Sequence, residues 1–271
     1  MIRFLQIVAL VGIVILLTGC SRNASEKNDT LWQQVKIGDI APSRSAKQSG
    51  SQLLKTINFG VYIFEIPAEN ISILNDIWPM LYTKPLQFND YNAFCANSFL
   101  AGFGQVQMWN KIADMLRAAG GRKSIETTSL LLFNGQANDL AITRLDNERT
   151  VFYISTAGSM EGATIGPGKL ALRIRTEKIP GSRGVRNVNI QPVFTPLIKN
   201  PIPQLAAREK SGELLFTSAG FELKMSPGDF VLLGPEKYIS HQTTLAGLFF
   251  SKARRKPAVR IFLLVCTRIN D

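Results

Sequence analysis

The order of apolar and polar residues divides the chain into three stretches. Residues 4–17 form an apolar run that only Gln6 interrupts. Residues 21–50 are polar, and a denser pattern of short apolar segments begins at Leu53. A polar stretch of this composition buries too little apolar surface to fold alone, so we expect a tether there. The pattern therefore predicts a folded body that begins near residue 51.

The first part of this body, residues 51–122, mixes strand and helix patterns. Asn58–Ile66 is rich in aromatic and β-branched residues and predicts a strand. Apolar residues from Ile71 to Leu81 recur at helical spacing, with Asn70 as the expected N-cap. The remaining elements are strands at Pro85–Phe88 and Ala96–Phe103 and a helix over Val106–Leu116. We predict a small α/β domain of order β-α-β-β-α.

The second part, residues 123–271, reads as mostly antiparallel β-structure. Turn residues such as Asn134-Gly135 and Pro227-Gly228 separate its apolar segments. The predicted strands are Thr127–Phe133, Leu140–Leu145, Thr150–Ser155, Lys169–Lys178, Val185–Phe194, Glu213–Thr217, Phe221–Met225, Phe230–Leu233 and Val259–Ile269. Pro203–Lys210 fits no strand pattern. The predicted fold class is α+β, with a small α/β domain followed by a β-rich domain.

The last strand, Val259–Ile269, leaves two alternatives. It is apolar on both sides, with Arg260 and Arg268 near its ends. Such a segment fits a central strand buried on both faces, and it also fits a strand that crosses a bilayer. We favour the buried strand.

The charge of the chain is strongly basic. Its formal net charge is +11, and the basic residues are scattered except for the cluster Arg254-Arg255-Lys256. A scattered excess usually forms a solvated surface, and the functional alternative is attraction to an anionic lipid or polymer. Because no nucleic-acid-binding motif is present, we expect no nucleic-acid partner.

Residues for catalysis or metal binding are sparse. The one histidine, His241, lies among polar residues, and the chain contains no GxSxG, HExxH or CxxC motif. We therefore predict no enzyme activity, no metal and no cofactor. Cys95 and Cys266 could pair, but each lies in an apolar run, which favours two buried free thiols.

The N-terminus resembles the signal peptide of a bacterial lipoprotein. Arg3 precedes the apolar run, and Leu16-Leu17-Thr18-Gly19-Cys20-Ser21 is similar to a lipobox. The run is shorter than the roughly 20 residues of a membrane span, although an uncleaved anchor is the alternative. The resemblance implies cleavage after residue 19, a lipid on Cys20, a tether over residues 20–50, and sorting to the outer membrane, facing the periplasm.

Several later segments, in order, resemble the secretin family of outer-membrane channel subunits. Ala96–Gly102 followed by a helix is similar to the ring-building domains of that family. The segments similar to its pore domain are Gly168–Ile174 and Val185–Pro192 as paired strands, Pro227–Gly234, Leu245–Phe250 and Ile261–Ile269. Thr267 stands where the family has a terminal proline, and the β-rich part is short for a gated pore.

Together these resemblances imply a non-enzymatic outer-membrane lipoprotein that acts as a secretin-like subunit or assembly component. Its partners would be the membrane, through the lipid, and a protein partner or further copies of itself. The candidate interaction residues are Asn97, Trp109, Arg254, Arg255 and Lys256. The alternative is a monomeric periplasm-facing lipoprotein that binds a ligand or an acidic cell-wall polymer.

Overall fold

The computed structural model describes residues 55–123, 128–197, 212–252 and 256–271. Several predictions fall on residues outside these ranges. They are the signal peptide, the lipid site at Cys20, the tether, Pro203–Lys210, Arg254 and Arg255.

Within the described ranges, strands dominate and short helices connect them. The strands are β1 (Thr56–Pro67), β2 (Gln87–Phe88), β3 (Phe99–Gln105), β4 (Arg122–Lys123), β5 (Thr128–Phe133), β6 (Ala137–Leu145), β7 (Arg149–Ile154), β8 (Met160–Ile165), β9 (Gly168–Lys178), β10 (Arg186–Pro196), β11 (Leu214–Leu215), β12 (Phe221–Met225), β13 (Asp229–Pro235), β14 (Ser251–Lys252) and β15 (Ala258–Asn270). The helices are α1 (Ile71–Leu74), α2 (Tyr91–Ala96), α3 (Trp109–Ala118) and α4 (Leu245–Phe250), with 3₁₀ turns at Ala68–Asn70, Trp78–Met80, Val106–Met108 and Thr217–Ala219.

The first sheet is built around β15. Its order is β3-β13-β15-β1, with β4 and β5 both on the outer side of β1, and its ladders are antiparallel. Every residue from Val259 to Cys266 is buried, with Arg260 the most exposed of them at 5%. This confirms that the last strand is a central strand covered on both faces.

Helices cover both faces of this sheet. On one face, α3 buries Trp109, whose ring lies 6.3 Å from that of Phe64 and 6.1 Å from that of Phe230. On the other face, the ring of Phe250 in α4 lies 5.9 Å from that of Phe262. In the register of β1 and β15, Phe262 pairs with Ile63, the residue before Phe64. Successive residues of a strand point to opposite faces, so the side chains of Phe64 and Phe262 lie on opposite faces of the sheet. The main apolar core therefore lies on both sides of β15 and β1.

The second sheet has the order β2-β12-β10-β9-β6, and β11 also pairs with β10. β9 and β10 pair antiparallel over eleven residues, from Arg186↔Lys178 to Pro196↔Gly168. The two segments that resemble paired secretin strands are therefore paired. Strands β7 and β8 form a separate two-stranded sheet.

The α+β class and the antiparallel sheets agree with the sequence prediction, but the element order differs from it. The helix predicted over Ile71–Leu81 is divided into α1 and a 3₁₀ turn. Asn70 makes no capping bond, because its side-chain nitrogen donates to the carbonyl oxygen of Ala119 at 3.1 Å. Helix α2 was not predicted, and its Ala96 was assigned to the following strand. Strand β8 and helix α4 were also not predicted.

Strands from both predicted domains share the first sheet. β1 and β3 belong to residues 51–122, and they pair with β15 and β13 of the predicted β-rich domain. Residue 122 therefore separates two stretches of sequence that share a sheet.

A buried arginine connects the first sheet to β6 and α4. Arg260 is 5% exposed, and its guanidinium donates to the carbonyl oxygens of Ile142 at 2.7 Å and Leu248 at 3.0 Å. It also donates to the hydroxyl of Thr143 at 3.0 Å. A charged donor satisfies these buried acceptors at one point where three elements meet.

We expect Arg260→Met to lower the free energy of unfolding by about 2 kcal/mol, since a buried carbonyl left unpaired costs roughly 1–3 kcal/mol and Ile142 loses its charged donor, whereas Leu248 keeps the hydroxyl of Thr143 at 3.1 Å. Urea unfolding followed by circular dichroism measures this change. Arg268→Met is the matched control, because Arg268 lies on the same strand with its side chain exposed. It is expected to stay within about 0.5 kcal/mol of the unsubstituted protein. Equal losses for the two variants would contradict the role of Arg260.

Candidate interaction surface

The hairpin of β7 and β8 is the part of the body least covered by neighbouring sheets. Its six register pairs run from Arg149↔Ile165 to Ile154↔Met160. Val151 is fully buried and Ile165 is 3% exposed, so these two side chains anchor one face of the hairpin to the body. Val151, paired with Ala163, lies on the face opposite to that of Phe152 and Met160.

Asn97 holds the outer edge of β7. Its side-chain nitrogen donates to the carbonyl oxygen of Ile154 at 2.8 Å, and its side-chain oxygen accepts from the backbone nitrogen of Ile154 at 2.8 Å. The same side-chain nitrogen donates to the carbonyl oxygen of Ala93 at 2.8 Å. The amide of Asn97 therefore takes the place of a neighbouring strand, because it offers β7 one donor and one acceptor.

Two further hydrogen bonds complete this docking. The hydroxyl of Ser218 donates to the carbonyl oxygen of Ile154 at 2.6 Å. The backbone nitrogen of Phe152 donates to the carbonyl oxygen of Thr243 at 2.7 Å. The outward backbone groups of β7 at these two residues are thus used for attachment to the body.

The opposite edge of the hairpin, on β8, is open. In an antiparallel pair of strands, the backbone N–H and C=O groups of two opposed residues either bond to each other or both point away from the partner strand. The backbone groups of Phe152 and Ile154 point away from β8. Those of their partners Gly162 and Met160, and those of Thr164, therefore point away from β7. In the part of the chain that the structure describes, β8 pairs only with β7. Its edge thus presents three backbone N–H groups and three carbonyls for strand addition.

The exposed face of the hairpin carries no charge. Phe152 is 42% exposed and Met160 is 73% exposed, and Gly162 and Thr164 lie beside them on the same face. The charged side chain of Glu161 lies on the opposite face, where it accepts a hydrogen bond from the hydroxyl of Tyr153 at 2.9 Å. A crevice of about 100 Å³ separates the apolar face from Asn97 and Leu245.

A second open edge belongs to β5, except at Phe133, whose backbone nitrogen donates to the side-chain oxygen of Gln136 at 3.2 Å and whose carbonyl oxygen accepts from the backbone nitrogen of Gln136 at 3.0 Å. Among the described strands β5 pairs only with β1, while Leu130 and Leu132 point into the core. The side chains of Leu131 and Phe133 lie on the solvent face of the strand and are 51% and 41% exposed. Proteins commonly protect such edges with Lys or Pro, and β5 contains neither. We call the outer edges of β5 and β8 the two open edges.

The predicted interaction residues lie in different parts of the molecule. Trp109 is 1% exposed in the core and Asn97 is 7% exposed beneath the hairpin. Lys256 is exposed and lines a groove, while Arg254 and Arg255 lie outside the described residues. Sequence patterns gave no sign of the open edge of β8, because Met-Glu-Gly-Ala-Thr-Ile shows only weak alternation.

The described part of the chain contains two cysteines, Cys95 and Cys266. Cys95 and Cys266 are both free; Cys266 is buried as expected, whereas Cys95 is half-buried. Burial, with a contribution from Asp229, raises the pKa of the Cys266 thiol to about 12, so it stays protonated at neutral pH. No group of three or more potential metal ligands occurs in the described ranges. Those ranges also contain no helix long and apolar enough to span a membrane.

We expect Asn97→Ala to loosen the hairpin selectively, since the substitution removes two hydrogen bonds to Ile154. Hydrogen exchange over residues 149–165 should accelerate at least about tenfold, while exchange in β15 stays unchanged. Asn70→Ala is the control, because it removes a single side-chain bond to Ala119 elsewhere. Equal acceleration in β15 would show that Asn97 supports the whole fold rather than the hairpin.

Comparisons with solved structures give weak structural neighbours, among them two secretins. No family model and no curated protein matches the sequence. The InvG secretin domain β-barrel of the Salmonella SPI-1 injectisome is 13% identical, with a TM-score of 0.22 over 80% of this chain. The type IV competence pilus secretin PilQ of V. cholerae is 10% identical, with a TM-score of 0.24 over 81% of this chain. The chain spans less than two thirds of both, at 64% and 62% of their lengths.

Proposed function

We propose that this protein is a non-enzymatic structural subunit of the bacterial cell envelope that assembles with further copies of itself. The observation that supports this most is the pair of open edges on β5 and β8. Unpaired backbone groups beside exposed apolar side chains favour the addition of another strand. The envelope location and the lipid on Cys20 rest on the lipobox resemblance. A role as one subunit of a secretin-like ring rests on the order of the sequence motifs.

A second copy fits these edges better than a charged partner does. Each copy carries a formal net charge of +11, so two copies repel each other unless they meet at uncharged surfaces. On the faces that carry Leu131 and Met160, the side chains of the two open edges are uncharged, and both strands are six residues long. The contact buries apolar side chains such as Leu131 and Met160 without burying an unpaired charge.

Pairing of β8 from one copy with β5 of the next is a head-to-tail contact. Because the two surfaces differ, each copy keeps one open edge after pairing, and further copies can add. Such an interface closes into a ring or continues as a filament, depending on the rotation between neighbours. When the contacts close into a ring, neither edge of any copy stays unprotected.

Met160→Lys and Leu131→Lys test this proposal in the full chain, purified in mild detergent. Each variant places an ammonium group on one open edge, and we expect the dissociation constant of self-association to rise at least about tenfold. Analytical ultracentrifugation over a concentration series measures it. Tyr82→Lys is the control, because Tyr82 is 56% exposed on another part of the surface.

Two outcomes would contradict the proposal. One is an unsubstituted protein that sediments as a monomer at all concentrations. The other is an equal loss of association in Tyr82→Lys, which would mean that added charge weakens contacts wherever it is placed. If strands pair at the open edges, self-association weakens in Met160→Lys and Leu131→Lys and stays unchanged in Tyr82→Lys.

A further inference from the structure

A groove of about 640 Å³ lies at one end of the first sheet, beside the last residues of β1. Strand β5 pairs with the first residues of β1 instead. The groove is found where β1 ends, where β15 begins and where α3 leads into β4. Its volume is in the range of small-molecule sites in proteins. The lining residues are Glu65, Pro67, Glu69, Gly120, Arg122, Lys256, Pro257 and Ala258.

The acidic residue deepest in this groove is already neutralised. Glu65 accepts a charge-assisted hydrogen bond from Lys252, and their side chains are 25% and 16% exposed. Arg122 lies directly opposite Glu65 in the register of β1 and β4, yet the carboxylate contacts Lys252 instead. Among the described residues, the guanidinium of Arg122 therefore has no carboxylate partner.

Three exposed charges remain along the groove, namely those of Arg122, Lys256 and Glu69. Within the described ranges none of the three belongs to an ion pair. Two cations against one carboxylate give the groove a net positive charge. In the sequence, Arg254 and Arg255 precede Lys256 directly and add two more basic residues nearby along the chain.

The backbone around the two cations is fixed. β4 holds Arg122 in place by pairing with β1. The residue after Lys256, Pro257, accepts a hydrogen bond at its carbonyl oxygen from the backbone nitrogen of Ala68 at 3.1 Å. The two cations therefore come from separate segments that are tied to the same end of β1.

The rest of the lining is small or apolar. Pro67, Pro257 and Ala258 supply carbon surface, and Gly120 adopts a φ of +72° that favours glycine. Without a side chain at Gly120, the groove stays open at that wall. A ligand can thus place an anionic group between the cations and an apolar part on the prolines.

We infer that this groove binds an anionic group, a carboxylate or a phosphate, carried on a larger and partly apolar molecule. Arg122 and Lys256 contact the anion from two sides, and Arg122 can do so with two parallel hydrogen bonds. Glu69 limits how densely charged the ligand can be. This binding site is separate from the open edges. It assigns a role to two of the basic residues of the chain, Arg122 and Lys256.

The test uses the full chain and two fluorescent probes that share one apolar part, the first ending in a single carboxylate and the second in a single phosphate monoester, each followed by fluorescence anisotropy. We expect saturable binding of at least one probe, and the preferred probe distinguishes a carboxylate from a phosphate. The double variant Arg122→Glu/Lys256→Glu should raise the dissociation constant at least about tenfold. Glu69→Gln should lower it, since the substitution removes the repelling carboxylate.

The matched control is Lys84→Glu/Lys224→Glu, which reverses two exposed basic residues outside the groove. Both double variants change the net charge equally, so a general attraction would weaken both alike. That result would overturn the proposal, as would the absence of binding to either probe. Self-association measured on the same samples is independent of this outcome, so failure of the groove and failure of the open edges remain distinguishable.

Discussion

The pairing of β1 with β15 brings the two ends of the described chain together, and the rest of the body depends on it. Twelve residues of β1 face β15, from Thr56 opposite Asn270 to Pro67 opposite Ala258. A ladder between the first and last strands forms only after nearly the whole chain is available, which makes the fold rich in long-range contacts. Because β15 occupies the centre, the outer positions of the sheet fall to β3 on one side and to β4 and β5 on the other.

This arrangement decides which surfaces are open. β5 becomes an edge strand although its sequence, Thr-Ser-Leu-Leu-Leu-Phe, has the apolar composition of a covered strand. The hairpin of β7 and β8 belongs to neither large sheet, and a side-chain amide, that of Asn97, replaces the missing neighbour on one side only. The proposed assembly uses the edges that the central position of β15 and the docking by Asn97 leave uncovered.

Local patterns in the sequence identified the strands whose burial is regular. The strand over Asn58–Ile66 and the doubly buried strand over Val259–Ile269 were predictable because each carries a continuous apolar signal. Helix α2 was not, since six residues give too short a period and its start depends on the capping bond from Ala93 to Asp90. The sequence could not predict the hydrogen-bond partner of Asn97 either, because Ile154 is 57 positions away along the chain. The order of strands in a sheet is set by such distant contacts, so the open edges could not be identified before the fold was known.

Disulfide trapping between two variants that each carry one introduced cysteine tests the head-to-tail contact most directly. Thr164→Cys places a thiol on the β8 edge and Leu131→Cys places one on the β5 edge, both in a Cys95→Ser background because Cys95 is half-buried and free. If β8 of one copy pairs with β5 of the next, mixing the two variants under mild oxidation gives a mixed dimer far more abundant than either homodimer. A mixture that yields homodimers in equal or greater amount, or no cross-linked product, would contradict this pairing.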